Sequence, residues 1–134
     1  MKKYLLDTHI LIWAIAKNDE LSAEVIELLK NSRNSIFVSA VSLWEIALKH
    51  SLGKLELENF EINNLLDYCK KAEFELLPLA PTTALQSINL SRKINHKDPF
   101  DRMIIWQAIK YNMPLISKDG LFEQYKQDGL QIIW

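Results

Sequence analysis

Apolar positions recur along the chain in two patterns, short runs that are typical of strands and stripes three or four residues apart that are typical of helices. The runs predict strands at residues 3–6, 36–38, 73–77, 114–117 and 130–134. The stripes predict helices at residues 10–16, 21–30, 41–52, 62–72 and 120–127, one from Pro81 toward Lys93, and one that begins at Asp98–Pro99. Short strands that alternate with helices favour an α/β fold, with a central, mostly parallel sheet flanked by helices on both faces.

The length of 134 residues predicts one domain over residues 1–134. Hydrophobic residues make up 49% and charged residues 25%, which is ordinary for a globular domain. With a single cysteine, Cys69, the chain has no internal disulfide. The first six residues are too short an apolar run for a signal peptide, and no stretch reaches the roughly 18 apolar residues of a membrane span. We therefore expect a soluble, cytoplasmic protein with no membrane partner.

The charges of the chain nearly cancel, with 16 basic and 17 acidic residues and a net charge of −1. Tight binding to nucleic acid through a general basic field requires a clear excess of lysine and arginine. Any contact of this chain with a polyanion must therefore be local.

Two acidic residues directly follow predicted strands. Asp7 comes after the first strand, and Asp119 comes after the fourth, with one lysine between. Ligands of parallel α/β sheets bind beyond the carboxyl ends of the strands. These two carboxylates are thus predicted to lie where a ligand would bind.

Two further acids lie on helical stripes that otherwise indicate a core. Asp101, in the first turn of its helix, shares a stripe with Ile104 and Ile105. Glu45 lies between Val41 and Leu48 on the helix before it. Carboxylates on a core-facing stripe are rarely left unpaired, so both positions are candidates for chemistry.

Each acid also has a structural explanation. Helix capping would account for three of them, namely Asp7, Asp98 and Asp119. Asp101 could complement the dipole of its helix, and Glu45 could form an ion pair with Lys49 one turn later.

If several of the acids converge, their repulsion has to be offset. Two carboxylates about 4 Å apart repel by about 4 kcal/mol at an effective dielectric constant of about 20. Too few basic residues adjoin these acids in the sequence to neutralise them, whereas a hard divalent cation with oxygen ligands would. Mg²⁺, or alternatively Mn²⁺, is the cofactor this pattern indicates, and a cation-filled site that accepts phosphate makes phosphodiester chemistry plausible.

Several segments together resemble the PIN-domain ribonucleases, and within them the VapC-type toxins of bacterial toxin-antitoxin pairs. The segments that carry the resemblance are residues 6–9, 38–47 with Lys49, 53–55, 96–102, 107–108 and 117–119. The resemblance implies a PIN-like fold, a divalent-metal site made of acids, and endoribonuclease activity that a cognate antitoxin protein blocks. An antitoxin, an RNA substrate and a second copy of the chain in a homodimer are the partners it suggests.

Carried over by position, the family's four site acids look like Asp7, Glu45, Asp101 and Asp119, with Asp98 as an auxiliary acid. We expect these to hold one or two metal ions. Two hydroxyl residues are further candidates for orienting a ligand, Thr8 and Ser117, and Ser39 or Ser42 could do the same unless they cap helices. The chain departs from the family at Ser117, where a threonine is usual, and at Trp106, where a small residue is common.

A basic segment leads into the Asp98–Asp101 loop and offers candidate phosphate contacts. Its residues are Arg92, Lys93, His96 and Lys97. A solvated basic turn is the alternative interpretation. Arg102, four residues after Asp98, is expected to form an intrahelical ion pair with it.

Two other functions fit a small α/β domain with clustered acids. A receiver-like phosphoacceptor signalling domain would need an acceptor aspartate at the end of a central strand near mid-chain, and residues 49–53 offer none. A non-catalytic binding module would only titrate a partner. Incubation with a small phosphodonor separates the first of these from a nuclease.

Overall fold

The computed structural model describes residues 2–134, and its centre is a parallel sheet of five strands. The strands are β1 (Lys2–Leu6), β2 (Asn34–Ser39), β3 (Glu75–Leu77), β4 (Leu115–Ile116) and β5 (Ile132–Ile133). Their order across the sheet is β3-β2-β1-β4-β5, and every neighbouring pair is parallel. The predicted fold class is confirmed, and β1 lies at the centre of the sheet.

Helices connect the strands. They are α1 (Thr8–Ala16), α2 (Ala23–Lys30), α3 (Ala40–Ser51), α4 (Leu65–Lys71), α5 (Pro81–Gln86) and α6 (Pro99–Lys110). Shorter 3₁₀ turns span Asn18–Glu20, Ile62–Asn64 and Ser87–Asn89, and a longer 3₁₀ helix spans Gly120–Asp128. Among residues 2–134, no helix combines the length and the apolar character needed to cross a bilayer.

The two faces of the sheet bury separate apolar clusters, because successive side chains of a strand point to opposite faces. On one face, Tyr4 and Leu6 pack with residues of α1, α2 and α4. On the other face, Leu5 and Leu115 pack with α6 and the Gly120–Asp128 helix. This arrangement fixes the carboxyl end of β1 between helices from both layers.

Local signals in the sequence determine several helix ends. The Ser22 and Ser39 hydroxyls accept hydrogen bonds from the first turns of α2 and α3. Proline occupies the first helical position of α5 and α6, where its missing N–H costs nothing. Gly53, after α3, has φ +69°, which a side chain would strain.

The helix predicted from Pro81 toward Lys93 is wrong in its length. The α-helix ends at Gln86, and a 3₁₀ turn follows over Ser87–Asn89. Leu90 is buried, whereas Ile94, one helical turn later, is almost fully exposed, so the two do not form the continuous buried face that a longer helix would need. The short helix predicted at residues 120–127 is present as a 3₁₀ helix over Gly120–Asp128.

Candidate metal centre

Asp7 directly follows the central strand and is only 1% exposed. Its Oδ1 accepts a hydrogen bond of 2.8 Å from the backbone N–H of Thr8, so the carboxylate does cap α1. Its Oδ2 accepts a 2.9 Å hydrogen bond from Ser117 Oγ, beyond the end of β4. The exposed His9 places Nδ1 3.9 Å from the same oxygen, and the Asp7 carboxylate raises the pKa of His9. Ser117 thus fixes the orientation of Asp7 across two strands.

Glu45 lies on the buried side of α3 and is 2% exposed. Its Oε2 lies 2.5 Å from Lys49 Nζ, so the ion pair considered from the sequence is present. Burial lowers the pKa of Lys49, but the Glu45 carboxylate, with the charges of Asp98 and Asp101, raises it above its usual value. Glu45 Oε1 is buried and has no hydrogen-bond partner among residues 2–134. An unsatisfied buried carboxylate oxygen is costly and indicates a site for a cation.

Asp98 and Asp101 lie at the start of α6. Asp98 Oδ1 accepts from the backbone N–H of Asp101 at 3.0 Å, which confirms the predicted helix cap. Asp101 Oδ2 lies 3.1 Å from Nε2 of the buried His96. Burial raises the pKa of Asp101 to about 6, and the negative charges of Asp98, Asp7 and Glu45 add to this rise against the hydrogen bond from His96. The charges of Asp98, Asp7 and Glu45 thus all disfavour the ionised form of Asp101.

Three of these carboxylates form a tight group. Glu45, Asp98 and Asp101 each offer a ligand oxygen, and these oxygens all lie within 4.8 Å of one another. Hard oxygen donors of this kind are what Mg²⁺ and Mn²⁺ bind in proteins. Together with the unsatisfied oxygen of Glu45, the donor set fits a divalent cation.

Asp119 lies outside that group. Its Oδ1 accepts from the backbone N–H of Leu121 at 2.9 Å and caps the Gly120–Asp128 helix. Its own N–H donates to Ser117 Oγ at 3.1 Å, so it is joined to Asp7 through one hydroxyl. Capping, one of the two roles considered for Asp119, is therefore present, and its role as a metal ligand stays a prediction.

The candidate hydroxyls hold the framework around the acids. Thr8 Oγ1 donates to Ser42 Oγ at 2.9 Å, which ties α1 to α3. Ser39 Oγ accepts from Val41 N–H, as expected of a helix cap, and donates to Oε1 of the buried Gln107 at 2.5 Å. Ser42 caps no helix, because that position belongs to Ser39.

The four predicted phosphate contacts divide into two pairs. Arg92 and Lys97 are exposed and line a surface cleft beside α6. The other two, His96 and Lys93, are not free to contact phosphate in the structure, so that prediction is wrong for them. His96 is 4% exposed and both of its ring nitrogens are engaged, while Lys93 Nζ forms an ion pair of 2.8 Å with Asp128.

Arg102 does not pair with Asp98, so that prediction is wrong. Its guanidinium donates to the carbonyls of Leu90 and Ser91 and to Tyr125 Oη, all at 3.0–3.1 Å. The carbonyl oxygens of the irregular segment after α5 are unused by any helix and accept these bonds. Sequence analysis did not identify Tyr125 as a residue near the site, because it lies 23 residues from Arg102 and reaches it only in the folded protein.

The unusual Trp106 is accommodated without disturbing the acids. Its indole Nε1 donates to the carbonyl of Thr83 at 3.0 Å, which joins α6 to α5. The large side chain thus packs on the side of α6 that faces α5.

Comparison with known proteins places these observations in a family. The family model "PIN domain" matches residues 4–127. The fold is similar to VapBC2 from Rickettsia felis bound to a promoter DNA fragment, with a TM-score of 0.69 and 21% identity over 98% of this chain and 97% of that one. It is also similar to DNA-bound VapBC from Salmonella typhimurium, with a TM-score of 0.66 and 19% identity over 99% and 98% of the two chains.

VapBC-1 from nontypeable Haemophilus influenzae is similar as well, with a TM-score of 0.64 and 18% identity over 98% of this chain and 96% of that one. A search of curated protein sequences gives no match. At these identities the solved structures establish the fold, and the family model covers nearly the whole sequence. The chain belongs to the PIN domain family.

Proposed function

We propose that this PIN domain is a divalent-metal-dependent endoribonuclease. The observation that carries the proposal is the group formed by Glu45, Asp98 and Asp101, whose ligand oxygens lie within 4.8 Å of one another while Glu45 Oε1 has no partner among the described residues. Such a group is unfavourable by itself and becomes favourable when a cation neutralises it. Mg²⁺ is the preferred candidate and Mn²⁺ the alternative.

In the proposed site, Glu45, Asp98 and Asp101 hold the cation, with Asp7 beside them and Asp119 joined through Ser117. A bound Mg²⁺ would supply a water of lowered pKa and charge stabilisation for the leaving oxygen. The protein's own contribution is orientation, because Ser117 fixes one oxygen of Asp7 and His96 fixes one oxygen of Asp101.

RNA is the proposed substrate, and its phosphates require cationic contacts near the acids. Arg92 and Lys97 are exposed and border the loop that carries Asp98. The net charge of −1 gives the chain only a weak general attraction to nucleic acid. Two exposed basic side chains beside the acids would instead provide a local contact with phosphate. We therefore assign phosphate binding to Arg92 and Lys97 alone among the four basic candidates.

The proposed biological role is that of a toxin held inactive by a cognate antitoxin. Two of the similar structures are VapBC proteins bound to DNA, which supports the role by analogy. This chain also has apolar surface for partners. Trp44 on α3 is 62% exposed, and the exposed Leu48 and Leu52 follow it at intervals of four residues. The three side chains form an apolar stripe that suits the interface of a homodimer.

The phosphoacceptor alternative has no support in the strands near mid-chain. β2 ends at Ser39 and β3 ends at Leu77, so neither places a carboxylate at its carboxyl end. The aspartate that does end a strand, Asp7, is 1% exposed with both oxygens hydrogen-bonded.

Purified protein incubated with total RNA tests the proposed function. With Mg²⁺ present we expect internal cuts in RNA, complete loss of cleavage when EDTA removes the cation, and recovery when excess Mg²⁺ is added back. Mapping the ends of the fragments shows whether the cuts are internal. Cleavage that resists EDTA, or stable aspartyl phosphate after incubation with a small phosphodonor and no cleavage, would count against the proposal.

A further inference from the structure

A chain of hydrogen bonds runs from the core to the acidic group. Arg102 Nη1 lies 3.1 Å from Tyr125 Oη, Tyr125 Oη lies 2.7 Å from His96 Nδ1, and His96 Nε2 lies 3.1 Å from Asp101 Oδ2. Tyr125 is fully buried and His96 is nearly so. This series of hydrogen bonds therefore connects Asp101, through His96, to Tyr125 and Arg102, which do not themselves belong to the metal centre.

The direction of each bond follows from which atoms carry hydrogen. A guanidinium only donates, so Tyr125 Oη accepts from Arg102. An ionised Asp101 also only accepts, so a neutral His96 carries its ring hydrogen on Nε2 and donates it to Asp101 Oδ2. His96 Nδ1 is then an acceptor and takes the hydroxyl hydrogen of Tyr125.

Further contacts hold Arg102, Tyr125 and His96 in place. The remaining donors of Arg102 hold the carbonyls of Leu90 and Ser91, and Lys93 Nζ lies 5.3 Å from the centre of the Tyr125 ring. The His96 ring packs edge-on against Phe122, with 5.5 Å between ring centres. These contacts hold a neutral His96 imidazole in one tautomer and one orientation without a cation.

We propose that Tyr125 and Arg102 are positioning residues that act through His96 to hold the Asp101 carboxylate in the orientation a divalent cation requires. This rests on the metal site of the proposed function and adds residues that are not ligands. Groups that orient a ligand in this way contribute to metal affinity, and their loss typically weakens it about 10- to 100-fold. A purely structural role for Tyr125 would instead affect folding stability and leave metal affinity unchanged.

The first test is Mn²⁺ binding without RNA, measured by titration calorimetry on folded protein well below its melting temperature. Tyr125→Phe keeps the ring and removes the hydroxyl, so we expect Mn²⁺ affinity to fall by about 10- to 100-fold. The matched control is Tyr111→Phe. Tyr111 follows the far end of α6 and shares its hydroxyl with Thr83 Oγ1 at 3.0 Å, so its loss should leave Mn²⁺ affinity unchanged.

A second pair of variants keeps the test decisive if Tyr125→Phe fails to fold. The amide nitrogen of glutamine reaches about as far as His96 Nε2 and can donate to Asp101, whereas that of asparagine reaches only as far as Nδ1. We expect His96→Gln to bind Mn²⁺ more weakly than the unchanged chain, because it leaves Tyr125 without its acceptor, and more tightly than His96→Asn, which also loses the bond to Asp101. Equal affinity in the two His96 variants, or wild-type affinity in Tyr125→Phe, would overturn the inference.

The result separates this inference from the proposed function. If the unchanged chain binds Mn²⁺ with the predicted order of variants but cuts no RNA, the proposed function fails and the inference stands. If it cuts RNA in Mg²⁺ while all variants bind Mn²⁺ equally, the inference fails and the function stands. A chain that binds no Mn²⁺ contradicts both.

Discussion

Asp101→Asn should abolish RNA cleavage and at the same time raise the melting temperature of the metal-free protein at pH 7. The carboxylate of Asp101 is 15% exposed and faces Asp98, Asp7 and Glu45, and its pKa is raised to about 6. Asparagine removes the charge and can still accept the hydrogen bond from His96. The variant therefore loses a metal ligand while it relieves repulsion in the folded state.

The sign of the effect follows from the two pKa values of Asp101. In the unfolded chain the carboxyl has its ordinary pKa of 3.8, and in the folded protein about 6. Between these pH values the folded state holds the proton of Asp101 more tightly than the unfolded state does. Protonation of Asp101 therefore stabilises the fold fully below pH 3.8, and this stabilisation is lost as pH rises through about 6. A shift of this size corresponds to at most about 3 kcal/mol, or several degrees of melting temperature.

Thermal unfolding in EDTA at pH 7 and at pH 4 measures this effect. We expect Asp101→Asn to melt at a higher temperature than the unchanged chain at pH 7 and the gap to narrow at pH 4. The control is Asp67→Asn, which removes an exposed aspartate from the first turn of α4 and should lower the melting temperature slightly, not raise it, and leave cleavage unchanged. A lower melting temperature of Asp101→Asn at pH 7 would show that the acids do not repel one another.

Asp7→Asn should reduce RNA cleavage by more than about 100-fold and leave the fold intact. Loss of a residue that only supports a metal ligand typically costs about 10- to 100-fold, and Asp7 is itself one of the acids of the site. Asparagine is as good a helix cap as aspartate, so the hydrogen bond to Thr8 N–H can persist. Cleavage rates of the two purified proteins, with circular dichroism as the check on folding, measure the effect.

Asp7→Ala separates the two roles of this side chain. It should lose cleavage to the same extent and, because alanine cannot cap α1, also lose about 1 kcal/mol of stability. If Asp7→Asn cleaves RNA at the full rate, Asp7 is only a helix cap and the proposed site is wrong.

The sheet and most helices were predictable because their signals are local. The continuous apolar run of β1 and the caps at Ser22, Ser39 and Asp98 lie within a few residues of the elements they determine. The helix after Pro81 was predicted too long because Leu90 and Ile94 have helical spacing, yet only Leu90 is buried in the fold.

The site was predictable only in part. The rule that strand ends and core-facing acids converge predicted Asp7, Glu45 and Asp101, and the structure groups Glu45 and Asp101 with Asp98 but leaves Asp7 outside that group. Asp98 was expected mainly as a cap, yet capping uses one of its oxygens and it joins the group as well. The bond between Tyr125 and His96 spans 29 residues, and no local pattern encodes a contact of that kind.

Crystals soaked in Mn²⁺ and measured at the manganese absorption edge test the central claim most directly, because the anomalous signal locates the ion without reference to activity. We predict a peak between the carboxylates of Glu45, Asp98 and Asp101, at oxygen distances of about 2.0–2.4 Å. A map with no peak among these three carboxylates, at Mn²⁺ concentrations that label other acids on the surface, would contradict the account.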